Sequence, residues 1–277
     1  MKRLCSVLKY ICIVALVISL LSLVAVVSYV LINGLGKLSF NLVFGEYLPD
    51  SPTMLPAIIG TLELVAISAL IAVPVGVCSA VFLVEYTNNG GIFVKVVRIA
   101  TETLAGIPSI VYGLFGYLIF VVAFGWGYSM LGGGITLAVM ILPTIVRSTE
   151  ESLLSVQGGL REGAYALGAS KVRTIFKIVL PSAASGIVTS VILAIGRVVS
   201  ESAVLILTIG MVVNKVPGTL MSPGTSLALD IYYFASHGYP DEAAAAAVAL
   251  IIFVMLLNLL AGSIGTLIQK SSYGDAK

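Results

Sequence analysis

Apolar residues fill this chain in long runs, and the polar positions between them set its layout. The run from Ile11 to Ile32 is too long for the core of a secretory signal and lacks a convincing cleavage site, so it predicts an uncleaved first span. Gly34, Gly36, Pro49 and Pro52 mark a loop over 33–54. A second span is predicted over 55–83, with Pro74 and Gly76 inside it, then a turn at Asn88-Asn89-Gly90-Gly91 and a third span over 104–124. A Gly-rich turn from Gly125 to Gly134 precedes a brief fourth span over 135–146. A fifth covers 183–211, a longer loop with Pro217, Pro223 and Pro240 covers 212–242, and a sixth covers 243–268. Six spans predict an all-α membrane protein, with residues 1–54 forming a first helix and outer loop ahead of the main bundle over 55–277.

One stretch breaks the apolar rule. Residues 147–181 are polar and basic and read as two short amphipathic helices broken at Gly168. Beyond Gly168, the three- and four-residue steps of Val172, Ile175, Phe176 and Val179 predict one apolar face, with Lys171, Thr174 and Lys177 opposite. Pro181 falls where the first turn of the next span tolerates it.

Composition excludes a soluble globular domain: 59% of the 277 residues are hydrophobic, 10% are charged, and the mean hydropathy is +1.11. The net charge of +2 carries no message, but its distribution does. With the N-terminus inside, the cytoplasmic segments collect Lys2, Arg3, Lys9, Lys95, Arg98, Arg147, Arg161, Lys171, Arg173, Lys177, Lys270 and Lys277, against Lys37 and Lys215 outside. That asymmetry predicts cytoplasmic termini and places the polar stretch in the cytoplasm. Trp126 and Tyr128, in the short outer turn, read as interface anchors. Cys5, Cys12 and Cys78 have no metal-ligand spacing and read as small membrane residues.

Charge inside a span is costly, about 2.5–3.5 kcal/mol for a central Arg on insertion scales. Arg197 and Glu201 nevertheless lie in the predicted fifth span, within Gly196-Arg197-Val198-Val199-Ser200-Glu201-Ser202. Four residues apart, they are expected on one helix face. Arg197 supplies a planar, permanently charged donor fork suited to an oxyanion, with Glu201 balancing its charge and Ser200 beside them in a polar path. The competing reading is an ion pair that fixes helix packing and never meets substrate. Glu63 reads as structural, Glu102 as a boundary residue and His237 as a solvated side chain. No Gly-x-x-x-x-Gly-Lys-Ser/Thr loop is present, so ATP hydrolysis is not expected of this chain. A lone histidine and no Ser or Cys paired with a base argue against an enzyme.

The polar stretch resembles the loop by which ABC importer permeases dock onto their ATPases. That pattern is Glu-Ala-Ala, Gly at position seven, a branched apolar residue at seventeen, and Leu-Pro at nineteen and twenty. Glu162, Ala164, Gly168, Ile178, Leu180 and Pro181 match it, and Gly163 replaces the first Ala. The runs Ala105-Gly106-Ile107-Pro108-Ser109-Ile110-Val111-Tyr112-Gly113-Leu114-Phe115-Gly116 and Leu142-Pro143-Thr144-Ile145-Val146-Arg147-Ser148-Thr149-Glu150-Glu151 look like those of phosphate-specific importer permeases. Within that group the chain resembles the subunit called A, because no large outer insertion precedes the second span; the C subunit is the alternative.

The resemblance implies the type I importer fold of six transmembrane helices with a cytoplasmic coupling-helix loop, in the cytoplasmic (inner) membrane. It implies a heterodimer with a homologous permease, two copies of a cytoplasmic ATPase and an extracytoplasmic phosphate-binding protein, and no nucleic acid. No cofactor is expected on this chain; ATP and Mg are implied on the ATPase. By the same resemblance Arg197 and Glu201 match charged positions assigned to phosphate passage. Arg197 alone does not separate phosphate from sulfate, molybdate or tungstate. A channel or scaffold without an ATPase would leave the docking pattern unexplained.

Overall fold

The computed structural model describes residues 2–45, 47, 52–87 and 91–274. Asn88, Asn89 and Gly90 of the predicted turn, Pro49 and Lys277 lie outside them. Among the described residues the chain is helical, with no strand. Helices α1 (Lys2–Leu35), α2 (Phe40–Phe44) and α3 (Leu55–Val81) come first, and α3 is prolonged by a wide π turn over Phe82–Tyr86. Next come α4 (Ile92–Ala105) and α5 (Ser109–Gly116), the latter prolonged by a π turn over Tyr117–Ala123. Helix α6 (Met130–Leu154) is followed by α7 (Gly158–Ala166) and α8 (Lys171–Thr174). A π turn over Ile175–Val179 joins α8 to α9 (Leu180–Val199), and α10 (Ala203–Thr208), α11 (Leu227–Ser236) and α12 (Pro240–Gly274) complete the chain.

Among the described residues five helical segments are long and apolar enough to cross a membrane: Leu8–Leu35, Leu55–Tyr86, Met130–Leu154, Lys171–Val199 and Pro240–Leu260. The bent pair Ile92–Ala105 and Ser109–Ala123 turns through 98°, and counted as one broken span it makes a sixth crossing. The predicted third span over 104–124 is therefore half of a broken one. Pro108 has no backbone donor and steers Ile107 away from helix, so α4 stops there, and Gly106 closes it by donating to Thr103 O at 3.1 Å. The Tyr112 hydroxyl then donates to Leu104 O at 2.8 Å and pins the bend.

The fourth span is longer than its apolar run suggests. It starts at Met130, capped by the Ser129 hydroxyl, and runs to Leu154, so Gly132-Gly133-Gly134 is helical and not part of a turn. These glycines admit close neighbours: a Cβ at Gly133 would lie 2.3 Å from Ile209 Cγ2, and one at Gly134 would lie 2.5 Å from Ile67 Cγ2. Lipid gives helices no hydrophobic reason to associate, so close packing at small residues holds such a bundle. Its centre is a buried cluster that joins Leu64 of α3, Leu137, Ile141 and Ile145 of α6, Val198 of α9 and Leu205 of α10. By contrast α1 is apolar all round and exposes most of its side chains from Leu8 onward, as a helix facing lipid does.

The predicted fifth span over 183–211 is also broken. Helix starts at Lys171, well before Pro181, and ends at Val199; residues 200–202 are unwound before α10 begins. The wide turn at Ile175–Val179 accommodates Pro181, because it lets the ladder resume with the Leu180 N–H on Ile175 O. The long loop over 212–242 contains α11, and α12 starts at Pro240, ahead of the predicted Ala243.

Candidate functional site

Residues 155–181 form a two-helix projection at one end of the bundle. Helix α7 carries Arg161, Glu162, Gly163 and Ala164 and closes at Gly168, whose φ of +79° only glycine adopts readily. Gly168 N–H donates to Tyr165 O at 2.9 Å and Ala169 N–H to Ala164 O at 3.0 Å, the paired bonds of a Schellman motif. Ser170 caps α8, its hydroxyl 3.4 Å from Arg173 N. Ala164 is the one α7 residue that is buried; Glu162, Gly163, Tyr165 and Leu167 face outward, with Leu167 91% exposed. The apolar face predicted for the second half is only partly formed. Ile175 and Val179 are buried with Thr174, whereas Val172 and Phe176 point out, and a π turn replaces regular α-helix from Ile175. Val172, Phe176, Leu160 and Leu167 thereby put apolar side chains on the outside of the projection.

Sequence reading missed how this projection is anchored. The Arg161 guanidinium donates to Glu85 Oε1 from Nε at 3.0 Å and from Nη2 at 2.9 Å. It also donates to Leu153 O at 2.9 Å and Val156 O at 2.8 Å, the carbonyls at the end of α6. Arg161 was visible as a basic residue beside Glu162, but a partner 76 residues away leaves no signal in sequence spacing. A second ionic cluster lies between α4 and α6. Arg98 meets Glu150 at 2.5 Å, and Arg147 bridges Glu102 at 3.2 Å and Glu151 at 3.3 Å.

Arg197 and Glu201 are brought close in sequence but not onto one helix face, as four-residue spacing predicted. Arg197 stands in the last turn of α9, while Glu201 lies beyond the helix end in the unwound stretch. The Glu201 carboxylate turns to α10, where its Oε1 accepts Ala203 N–H at 3.0 Å and Val204 N–H at 3.3 Å. Those amides are the unpaired donors of a helix start, and they satisfy the charge that Arg197 was expected to balance. Among the described residues no carboxylate pairs with Arg197. Ser200 is exposed, and its hydroxyl donates to Gly196 O at 3.1 Å. Val198 packs in the cluster that holds Leu137, Ile141 and Ile145, residues midway along α6, so the break falls at mid-depth of the bundle. Between α6 and α9 a groove of about 520 Å³ runs from Leu193, one turn before Arg197, toward the 155–181 projection. Ser148, Glu151 and Ser152 of α6, Ser155 at its C-terminal cap, and Ser185, Thr189 and Ser190 of α9 line it.

Other charged groups lie away from this groove. Glu63 has one carboxylate oxygen without a protein partner, and exposed His237 stacks on Tyr233 at 4.0 Å. At the end opposite the docking projection, Asp230 of α11 is fully buried. It accepts the Thr225 hydroxyl on one oxygen, and desolvation pushes its carboxyl up to about 7. Lys37 bonds Asp241 at 2.5 Å, and that hydrogen bond holds its ammonium above the ordinary lysine range. Trp126 stacks on Phe120 beside the turn that joins α5 to α6. Cys12 and Cys78 are free and exposed.

A bundle of apolar helices with a broken, arginine-bearing crossing and a two-helix projection defines a transport permease, and comparison with known proteins supplies the family. The chain belongs to the binding-protein-dependent transport system inner membrane component family, whose model matches residues 72–272. The probable ABC transporter permease protein YqgI of Bacillus subtilis is 35% identical over 90% of each chain. The phosphate transport system permease protein PstA of Pasteurella multocida is 37% identical over 83% of this chain and 82% of its own. PstA of Mycobacterium leprae is 35% identical over 79% of this chain and 72% of its own. The fold matches that of a bacterial alginate ABC transporter (TM-score 0.71, 17% identity, 95% of each chain). It also matches the inward-facing MetNI methionine transporter (TM-score 0.63, 23% identity, 78% of this chain and 97% of that one). The protein is thus the multi-pass permease subunit of an ABC importer, a transport component that works with an ATPase and a binding protein.

Proposed function

We propose that this chain is the A-type permease of an ATP-driven inorganic phosphate importer, paired with a homologous permease and served by two ATPase copies and an extracytoplasmic phosphate-binding protein. The observation that carries the substrate is Arg197: an always-charged donor fork at mid-depth, beside an unwound stretch, with its expected counter-ion engaged elsewhere. A dianionic or monoanionic phosphate matches that fork bidentately, and the single positive charge attracts it without the multiple contacts that would trap it. The groove from Gly186 to Leu193 extends the path with hydroxyls, which can exchange for the anion's hydration shell as it moves on, and its one carboxylate, Glu151, is paired with Arg147. The phosphate transporters among the relatives support the same substrate.

The docking projection faces the cytoplasm in this reading, with both termini, because the basic residues gather at that end of the spans. ATP and Mg²⁺ are bound and ATP is hydrolysed on the ATPase partner. Glu162, Gly163, Ala164, Gly168, Ile178, Leu180 and Pro181 form the docking element, with exposed Leu160 and Leu167 as apolar contacts for the ATPase groove. Closure of the ATPase pair draws the projection inward and opens the path outward to receive phosphate from the binding protein; hydrolysis reverses it.

The test is ATP-dependent uptake of radiolabelled phosphate in proteoliposomes that hold the whole complex, with sulfate and molybdate as competitors and Arg197→Gln in parallel. Uptake indifferent to the competitors and lost in the variant is the expected result. Displacement by sulfate or molybdate keeps the importer and overturns phosphate, and unchanged uptake in Arg197→Gln removes Arg197 from the path.

A further inference from the structure

The docking loop grips α3 at two consecutive residues. Arg161 of α7 holds Glu85, and Lys171 at the start of α8 sits 4.8 Å from the centre of the Tyr86 ring. Both contacted residues lie in the π turn that ends α3. The Glu85–Arg161 pair is well shielded, with 6% and 19% of the side chains exposed. Burying two charges costs several kcal/mol per ion before pairing recovers it, so such a pair is weak as plain glue. Apolar packing contributes little here, since Ala164 is the only α7 residue buried. Arg161 is therefore the main attachment of α7, and it joins α7, the end of α6 and the end of α3 through four hydrogen bonds.

From that joint α3 runs 27 residues, about 40 Å of helix at 1.5 Å per residue. Near its far end it is locked to the segment before α11. Thr61 Oγ1 accepts Leu227 N–H at 3.0 Å, and a Cβ at Gly60 would lie 2.1 Å from Thr225 O. A rod fixed at both ends carries displacement where a loosely packed helix would absorb it. Two elements interrupt its ladder: Pro74, which has no backbone donor, and the π turn itself, a local widening often found at functional sites.

We propose that the Glu85–Arg161 pair, assisted by Lys171 on Tyr86, is the joint through which movement of the docking loop reaches α3 and, along it, the opposite mouth of the permease. Glu85 and Arg161 are positioning residues: they touch neither substrate nor ATPase, and they act through α3. The proposal rests on the docking reading of the 155–181 projection.

The experiment measures phosphate taken up per ATP hydrolysed by the complete complex in proteoliposomes, for wild type, Glu85→Gln, Arg161→Gln and the double variant. Co-purification of the ATPase is scored for each. Each single substitution is expected to lower the ratio between about 2-fold and 30-fold while the ATPase stays attached, the range that mutations along a coupling network produce. The double variant should be no worse than the worse single, because the two residues act as one joint. A merely structural pair would lower the yield of complex and leave the ratio alone. Ratios unchanged in the singles, or losses that multiply in the double, overturn the proposal. If Arg161→Gln does not assemble, Arg161→Lys takes its place: it keeps the charge but loses the fork, and the same two outcomes decide. Failure of the wild-type chain to retain any ATPase overturns the docking reading instead.

Discussion

Two glycines five residues apart in the docking projection should respond in opposite directions to the same change. A Cβ at Gly163 or at Gly168 would meet nothing within 4 Å, so space does not distinguish them. Backbone conformation does: Gly163 is in the interior of α7, whereas Gly168 has φ +79°. Gly163→Ala should therefore stabilise α7 by about 1 kcal/mol, the helix propensity difference between the two residues. Gly168→Ala places a side chain in the left-handed region at a cost of roughly 1–2 kcal/mol and strains both Schellman bonds. Amide exchange across residues 161–167, measured on the complex in nanodiscs without nucleotide, reads these as local opening energies. Protection should rise about 5-fold in Gly163→Ala and fall roughly 5- to 30-fold in Gly168→Ala, since 1.4 kcal/mol is a factor of ten. Equal protection in the two variants would refute the reasoning, because it would mean that the left-handed residue does not define the end of α7.

Two other outcomes follow from groups whose environment is specific. Asp230 has its carboxyl raised from 3.8 to about 7 by burial, so the folded protein holds its proton more tightly than the unfolded chain. Its stabilising effect is full below pH about 4 and is lost as pH rises through about 7, a change on the order of 4 kcal/mol. Asp230→Asn should flatten the fall in thermal stability of the detergent-solubilised complex between pH 4 and 7; an unaltered slope would refute the assignment. Glu201 caps α10 through its carboxylate oxygen, so Glu201→Gln, which keeps an acceptor, should retain most phosphate uptake. Glu201→Ala should lose the cap, about 1 kcal/mol, and lower uptake further. Equal loss in both would restore Glu201 as the counter-charge to Arg197.

The fold was legible where apolar length alone decides it, and illegible where packing overrides composition. The membrane class, the crossings at 55–83 and 243–268, and the helix–Gly168–helix layout of the docking loop could all be read from local pattern. Gly132-Gly133-Gly134 could not: three glycines signal a turn until Ile67 and Ile209 are seen where their Cβ atoms would stand. The break at Pro108 was written in the sequence, but its 98° angle depends on the Tyr112 hydroxyl reaching Leu104 across it. Val172 and Phe176 kept a helical period on paper, yet both are exposed, and a π turn replaces the regular helix from Ile175 onward.

The site shows the same division, with a consequence for mechanism. Spacing placed Arg197 and Glu201 side by side as a neutral pair, which would present the anion with no net attraction. A helix that ends between them changes the electrostatics. The α10 amides satisfy the Glu201 carboxylate, and the Arg197 charge is left to the path. An arginine at this depth costs about 2.5–3.5 kcal/mol to insert. In the proposed phosphate path, a passing anion would offset part of that cost each time it binds, so that occupancy is favourable while contact with one residue keeps it brief. In that proposed path the unwound residues 200–202 do two things at once: they form a break of the kind at which broken helices bind substrate in membrane transporters, and they separate a charge pair that an unbroken helix would have placed on one face.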